Sequence, residues 1–180
     1  MLSVFGFERV GVAVGDLYFL DPEPDPGQEG AEQGVRLEVR LLERGPLPGS
    51  IYSAQPVAVG TPVWRADLLE SVASPGTLDR AHHHPRFDGW EPGRRVFDDD
   101  MTADPVAWVG RRLADLDALV AEAGLGAEIL GPGDAAGVRH AVPEIVATVR
   151  RLLDRSRSAG YGDPGRAPAG GPAGARAGWL

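Results

Sequence analysis

All of the period-two hydrophobic alternation in this chain falls before about residue 97, and the helical periodicity comes after it. That segregation constrains the fold more than any other feature. Parallel strands need a long crossover between them, usually a helix, whereas strands that follow one another directly pair antiparallel. Helices arriving after the sheet is complete pack on one of its faces. The order predicts an α+β domain: an antiparallel, meander-like sheet of about five or six strands with two C-terminal helices packed on one face. A βαβ nucleotide fold gains no support, since neither GxGxxG nor GxxxxGK followed by Ser or Thr occurs.

The strand signals are local. Val10, Val12 and Val14 alternate with small residues, and Gly15-Asp16 offers a two-residue turn back into Leu17–Leu20, which predicts a hairpin over 4–21. Residues 21–34 (DPEPDPGQEGAEQG) read as an acidic, exposed loop that cannot carry a strand ladder. Val35, Leu37, Val39 and Leu41 mark a half-buried strand, and 50–59 and 61–69 read as two further β-rich runs divided at Gly60. Residues 71–93 carry turn signals and read as irregular, with a short last strand at Arg94–Phe97.

The helices have clearer ends. Asp104 is placed as an N-cap and Pro105 suits the first helical position. Val106, Val109, Leu113, Leu116 and Val120 then form one apolar stripe, with Gly124 as C-cap. A second helix is predicted over about 143–156, starting at Pro143 and burying Ile145, Val146, Val149, Leu152 and Leu153. Residues 1–157 thus read as one domain, and 158–180, rich in Gly, Ala and Pro, as a disordered tail.

Composition removes several chemistries. The chain has no cysteine, which excludes disulfides, thiolate metal sites and cysteine nucleophiles and agrees with a cytoplasmic location. Met1–Phe5 carries no basic stretch and no small-residue cleavage site, so no secretory leader is expected, and no apolar run spans a bilayer, so no membrane association is expected. The net charge is −8, and all 18 basic residues are Arg. So acidic a chain repels a phosphate backbone at long range, and nucleic acid would need a local basic patch.

One window supplies such a patch. Residues 79–97 hold four Arg against three acids, and three of the four histidines are consecutive, at His82, His83 and His84. On an extended strand His82 and His84 share a face while His83 points the other way. Two imidazoles on one face can bind a divalent metal with a carboxylate, for which Asp67, Glu70 and Asp79 are available. A metal-free alternative uses His82, His83 or His84 as general acid or base, Asp67 or Asp79 to orient a ring, and Arg65, Arg80 and Arg86 to hold a phosphate. A third alternative is purely architectural: Arg65, Asp67, Asp79 and Arg80 as an ion-pair network that pins the loop to the sheet.

The order of Arg36–Arg40, Pro48–Tyr52, Arg65-Ala66-Asp67 and Asp79–His84 followed by a helix resembles the TumE-type toxin family of bacterial toxin–antitoxin pairs. The resemblance covers about half the chain, with Leu68 standing where the family step has Asn. It implies a small antiparallel sheet, activity on RNA, and an antitoxin as protein partner. Two functional expectations follow. One is a toxin-like phosphodiesterase acting on RNA or a nucleotide through His82, His83, His84, Asp67 and Asp79, with Arg65, Arg80 and Arg86 on the substrate. The other is a non-catalytic binding or homo-oligomeric assembly domain whose cluster is structural or binds a metal through His82, His84 and Asp67.

Overall fold

The computed structural model describes residues 1–20 and 30–159. Its main sheet has five strands in sequential order: β1 (Leu2–Gly6), β2 (Val10–Leu20), β3 (Ala31–Arg44), β4 (Val57–Ser71) and β5 (His82–His84), every neighbouring pair antiparallel. A second ladder joins β6 (Phe87–Asp88) to β7 (Glu91–Pro92) in a small hairpin. The helices are α1 (Asp99–Ala103), α2 (Pro105–Ala114), α3 (Leu116–Glu122) and α4 (Asp134–Ser158), with a 3₁₀ turn at Ala127–Ile129. This is the expected α+β meander with the helices in the C-terminal half.

Alternation sorts each strand onto two faces. Val10, Val12 and Val14, then Val35, Leu37 and Val39, then Trp64, Ala66 and Leu68 form one face, all buried. Against it lie Val109, Leu113, Leu116, Leu119, Ile145, Val149 and Leu152 from the helices. Each buried aliphatic of this size contributes about 1.5–3 kcal/mol of transfer free energy, so this layer dominates stability. The helix starts are set by carboxylates: Asp98 accepts from Met101 N at 3.0 Å, Asp104 from Ala107 N at 3.0 Å and Asp115 from Ala118 N at 3.2 Å.

Several sequence expectations are revised. Gly15 and Asp16 do not turn; they continue β2, opposite Arg36 and Val35, and the Asp16 carboxylate is compensated by Arg155 Nε at 3.0 Å. The β1–β2 turn lies at residues 7–9, closed by Phe7 N donating to Val10 O at 2.9 Å. Within the 21–34 loop, residues 21–29 lie outside the described residues, but Ala31–Gly34 belong to β3. Of the run expected over 50–59 only Val57–Val59 are strand, residues 50–56 being turn and loop; these three join the 61–69 run across Gly60 as β4, register shifts between Val39 and Leu42 absorbing the irregularity. The region read as irregular contains β5, and of the expected last strand Val96 makes a single bridge to His83.

The first predicted helix is divided at Asp115 into α2 and α3. The second begins nine residues before Pro143. Its start is fixed by Asp134, fully buried, which accepts from Glu8 N at 2.8 Å and Gly131 N at 2.6 Å. Proline removes one helical hydrogen bond, yet α4 continues because Val138 before it and Ile145 and Val149 after it are all in the core. The predicted tail lies outside the described residues except for Ser158 and Ala159, which end and cap α4. Among the described residues no helix is long and apolar enough to cross a membrane.

A candidate metal centre on the open sheet face

The face of the sheet turned away from the helices is charged. Period two places Arg36, Glu38 and Arg40 of β3 on it, with Arg65 and Asp67 of β4. The register sets Arg36 opposite Asp67 and Glu38 opposite Arg65. On the far side of β4, His84 pairs with Arg65 and His82 with Asp67, so both imidazoles join this face. His83, opposite Ala66, goes to the other one.

Asp67 is the centre of the arrangement and is 1% exposed. Arg36 Nε donates to its Oδ1 at 2.7 Å. Its Oδ2 is approached by Arg65 Nε at 3.0 Å, His82 Nε2 at 3.4 Å and His84 Nε2 at 3.6 Å. Burial alone would raise the Asp67 carboxyl; hydrogen bonding from His82 and the charges of Arg36 and Arg65 outweigh it and hold the carboxyl well below the usual range. Asp67 is therefore a carboxylate at any ordinary pH.

The ring tautomers follow from the backbone. Nδ1 of His82 lies 2.8 Å from Arg80 O, and Nδ1 of His84 lies 2.8 Å from Gly93 O. A carbonyl oxygen only accepts, so Nδ1 carries a proton in both rings. Burial pushes His84 down to about 4, with the Gly93 hydrogen bond opposing, so this ring is neutral near pH 7 and its Nε2 presents a lone pair. That nitrogen has no hydrogen-bond partner among the described residues, although His84 is only 4% exposed. The rings of His82 and His84 are 5.1 Å apart, and Phe97 lies 5.7 Å from His82.

One carboxylate and two imidazoles thus converge, and ligand atoms from Asp67, His82 and His84 all lie within 4.8 Å of one another. The β6–β7 hairpin lies over the neighbouring guanidiniums, with Phe87 5.7 Å from Arg65 and Trp90 5.1 Å from Arg40. Trp90 and Phe97 are themselves more than half exposed. Beside the centre, Arg36, Glu38 and Arg40 share the lining of a hollow of about 100 Å³ with Leu2, Val4, Ala13 and Val59.

The remaining residues singled out in the sequence are dispersed. His83 is wedged in the core, its ring 4.9 Å from Trp108 and 6.1 Å from Trp64, and burial, aided by the charge of Arg112, pushes it down to about 4. Asp79 organises the β4–β5 loop by accepting from Ser71 N at 3.0 Å and Thr77 Oγ1 at 2.9 Å. Arg80 reaches no closer than 3.6 Å to Asp79. Arg86 donates to Glu122 O at 3.1 Å, closing the end of α3. Glu70 faces α4, where Arg157 holds it with two hydrogen bonds of 3.0 and 2.9 Å. Arg36, missed as a site residue from the sequence, is part of the centre, and the two-residue spacing of Arg36, Glu38 and Arg40 was the available signal. No protein-family model, no curated protein and no solved structure matches the chain.

Proposed function

We propose that this domain binds a divalent transition-metal ion at Asp67, His82 and His84. The observation that carries the reading is the pair of Nε2–Oδ2 distances, 3.4 and 3.6 Å. The first is long for a hydrogen bond to a carboxylate, and the second sets the lone pair of His84 against another acceptor. They match the edge of a tetrahedron around a metal bound at 2.0–2.2 Å, which is about 3.3–3.6 Å. The commitment of both Nδ1 protons to backbone carbonyls is the outer-sphere arrangement that orients metal-binding histidines. Two imidazoles and a carboxylate suit zinc or ferrous iron, and three protein donors leave a fourth position for an outside ligand.

A phosphodiesterase acting through His83 gains no support from its buried place against two indoles. An assembly domain whose cluster is only an ion-pair lattice predicts indifference to metal, and the same experiment separates the two. Metal-stripped protein is titrated with zinc by calorimetry, using His82→Ala, His84→Ala and, as a control, His140→Ala at an exposed helix position. One zinc per chain, lost in the first two variants and retained in the third, is expected. Absence of binding, or binding unaffected by both centre variants, overturns the reading.

A further inference from the structure

The charges around Asp67 do not balance once a metal is added. Arg36 and Arg65 both sit on a single carboxylate, which leaves one surplus positive charge. The other acid nearby, Glu38, is paired with Arg40 Nε at 3.0 Å. A divalent ion at the centre raises the surplus to three, in a place where Asp67, His82 and His84 are each 4% exposed or less. Uncompensated charge at that depth is strongly unfavourable.

The oxygen a metal would take is also the one Arg65 occupies. Arg65 Nε lies 3.0 Å from Asp67 Oδ2, the atom both imidazoles face, yet it forms no directed hydrogen bond there. Arg36 is different: it holds Oδ1 at 2.7 Å and need not move. Metal coordination therefore displaces Arg65 and leaves Arg36 as an outer-sphere support. The released guanidinium stays beside the fourth coordination position, and its planar fork matches a carboxylate or phosphate.

Building on the metal reading, we infer that the loaded centre binds a small oxyanion, coordinated by the metal and gripped by Arg65. The anion supplies the missing negative charge and gives Arg65 a partner in place of Asp67. Without metal, Arg65 neutralises Asp67; with metal, it becomes part of the anion site. The centre would thus act on, or sense, anionic ligands, with the short hairpin as the cover they pass.

Cobalt(II) tests this, because its visible absorption reports a change of ligand. Cobalt-loaded full-length protein is titrated with phosphate and, separately, acetate, with chloride at matched ionic strength as the charge control. A saturable spectral change with phosphate or acetate and none with chloride is expected, the stronger of the two naming the oxyanion class. In Arg65→Gln, cobalt should bind more tightly, by on the order of tenfold, because a like charge is gone, while the oxyanion response weakens by a similar factor. A cobalt spectrum blind to both oxyanions overturns this inference and leaves the metal reading standing. Failure of the wild-type protein to take up cobalt overturns both. An oxyanion response undiminished in Arg65→Gln overturns the role given to Arg65, and if that variant does not fold, Arg65→Lys, which keeps the charge and loses the fork, should show the weakened response instead.

Discussion

Replacing Asp67 with Asn keeps the side-chain shape and removes the charge on which the open face depends. Its carboxylate is 1% exposed and serves two guanidiniums, Arg36 at 2.7 Å and Arg65 at 3.0 Å. Breaking a buried ion pair by removing one partner costs about 3–5 kcal/mol, because the remaining charge is left without compensation. The side chains of Arg36 and Arg65 are 22% and 12% exposed, so water recovers part of the loss. Arg65 can also lean on Glu38, its cross-strand neighbour. The lower end applies, about 3 kcal/mol. For a domain of this size that lowers Tm by roughly 6–12 °C. Urea unfolding followed by circular dichroism should show a lower midpoint with an unchanged slope. A companion variant, Asp67→Leu with Arg36→Leu and Arg65→Leu, removes the lattice together with its charges and should recover most of the stability. If Asp67→Asn stays within about 1 kcal/mol of the parent, Asp67 is not the charge on which the face depends, and the reasoning fails.

The core histidine makes stability depend on pH. His83 titrates at about 4 in the folded chain and at 6.5 when exposed, so between these values the unfolded state binds the extra proton. Stability is full above pH 6.5 and declines toward pH 4, with roughly 3 kcal/mol at stake; urea midpoints across this range should fall more steeply for the parent than for His83→Leu. Gly34 has φ +152°, and a Cβ there would lie 2.1 Å from Leu68 O, so Gly34→Ala should cost about 2–3 kcal/mol in the same assay. Gly76→Ala, with φ +94° and nothing within 4 Å, should cost only the backbone term of about 1–2 kcal/mol, and equal losses at the two positions would contradict the clash.

Much of the architecture is legible in the sequence because its signals are local. The alternation of Val35, Leu37 and Val39 needs only a two-sided strand, and the Asp104-Pro105 start needs only a capping carboxylate and a fixed φ. The opposition of His83 to His82 and His84 follows from the same period. What could not be read depends on register. Nothing local to Arg36 says that it meets Asp67 rather than Leu68; that pairing is fixed by the β3–β4 connection and by the bulges between Val39 and Leu42. The start of α4 was hidden because Asp134 is a long-range anchor, accepting from Glu8 and Arg9 in the β1–β2 turn. Pro143 then supplied a more conspicuous but false beginning. Asp79, Arg80 and Arg86 are close to the histidines in sequence, yet each serves its own loop or helix end, because residues in a turn leave the sheet plane.

The three-residue length of β5 has an optical consequence. Two of its side chains reach Asp67, and the one between them packs against the stacked pair Trp64 and Trp108, 4.9 Å from the latter ring. So short a segment has no slack with which to absorb a displacement on one side. Whatever tightens or loosens His82 and His84 must also tilt the imidazole packed against the indoles. Their near-ultraviolet dichroism and emission then report a displacement on the opposite surface, readable without a label once Trp90 and Trp179 have been replaced by Phe.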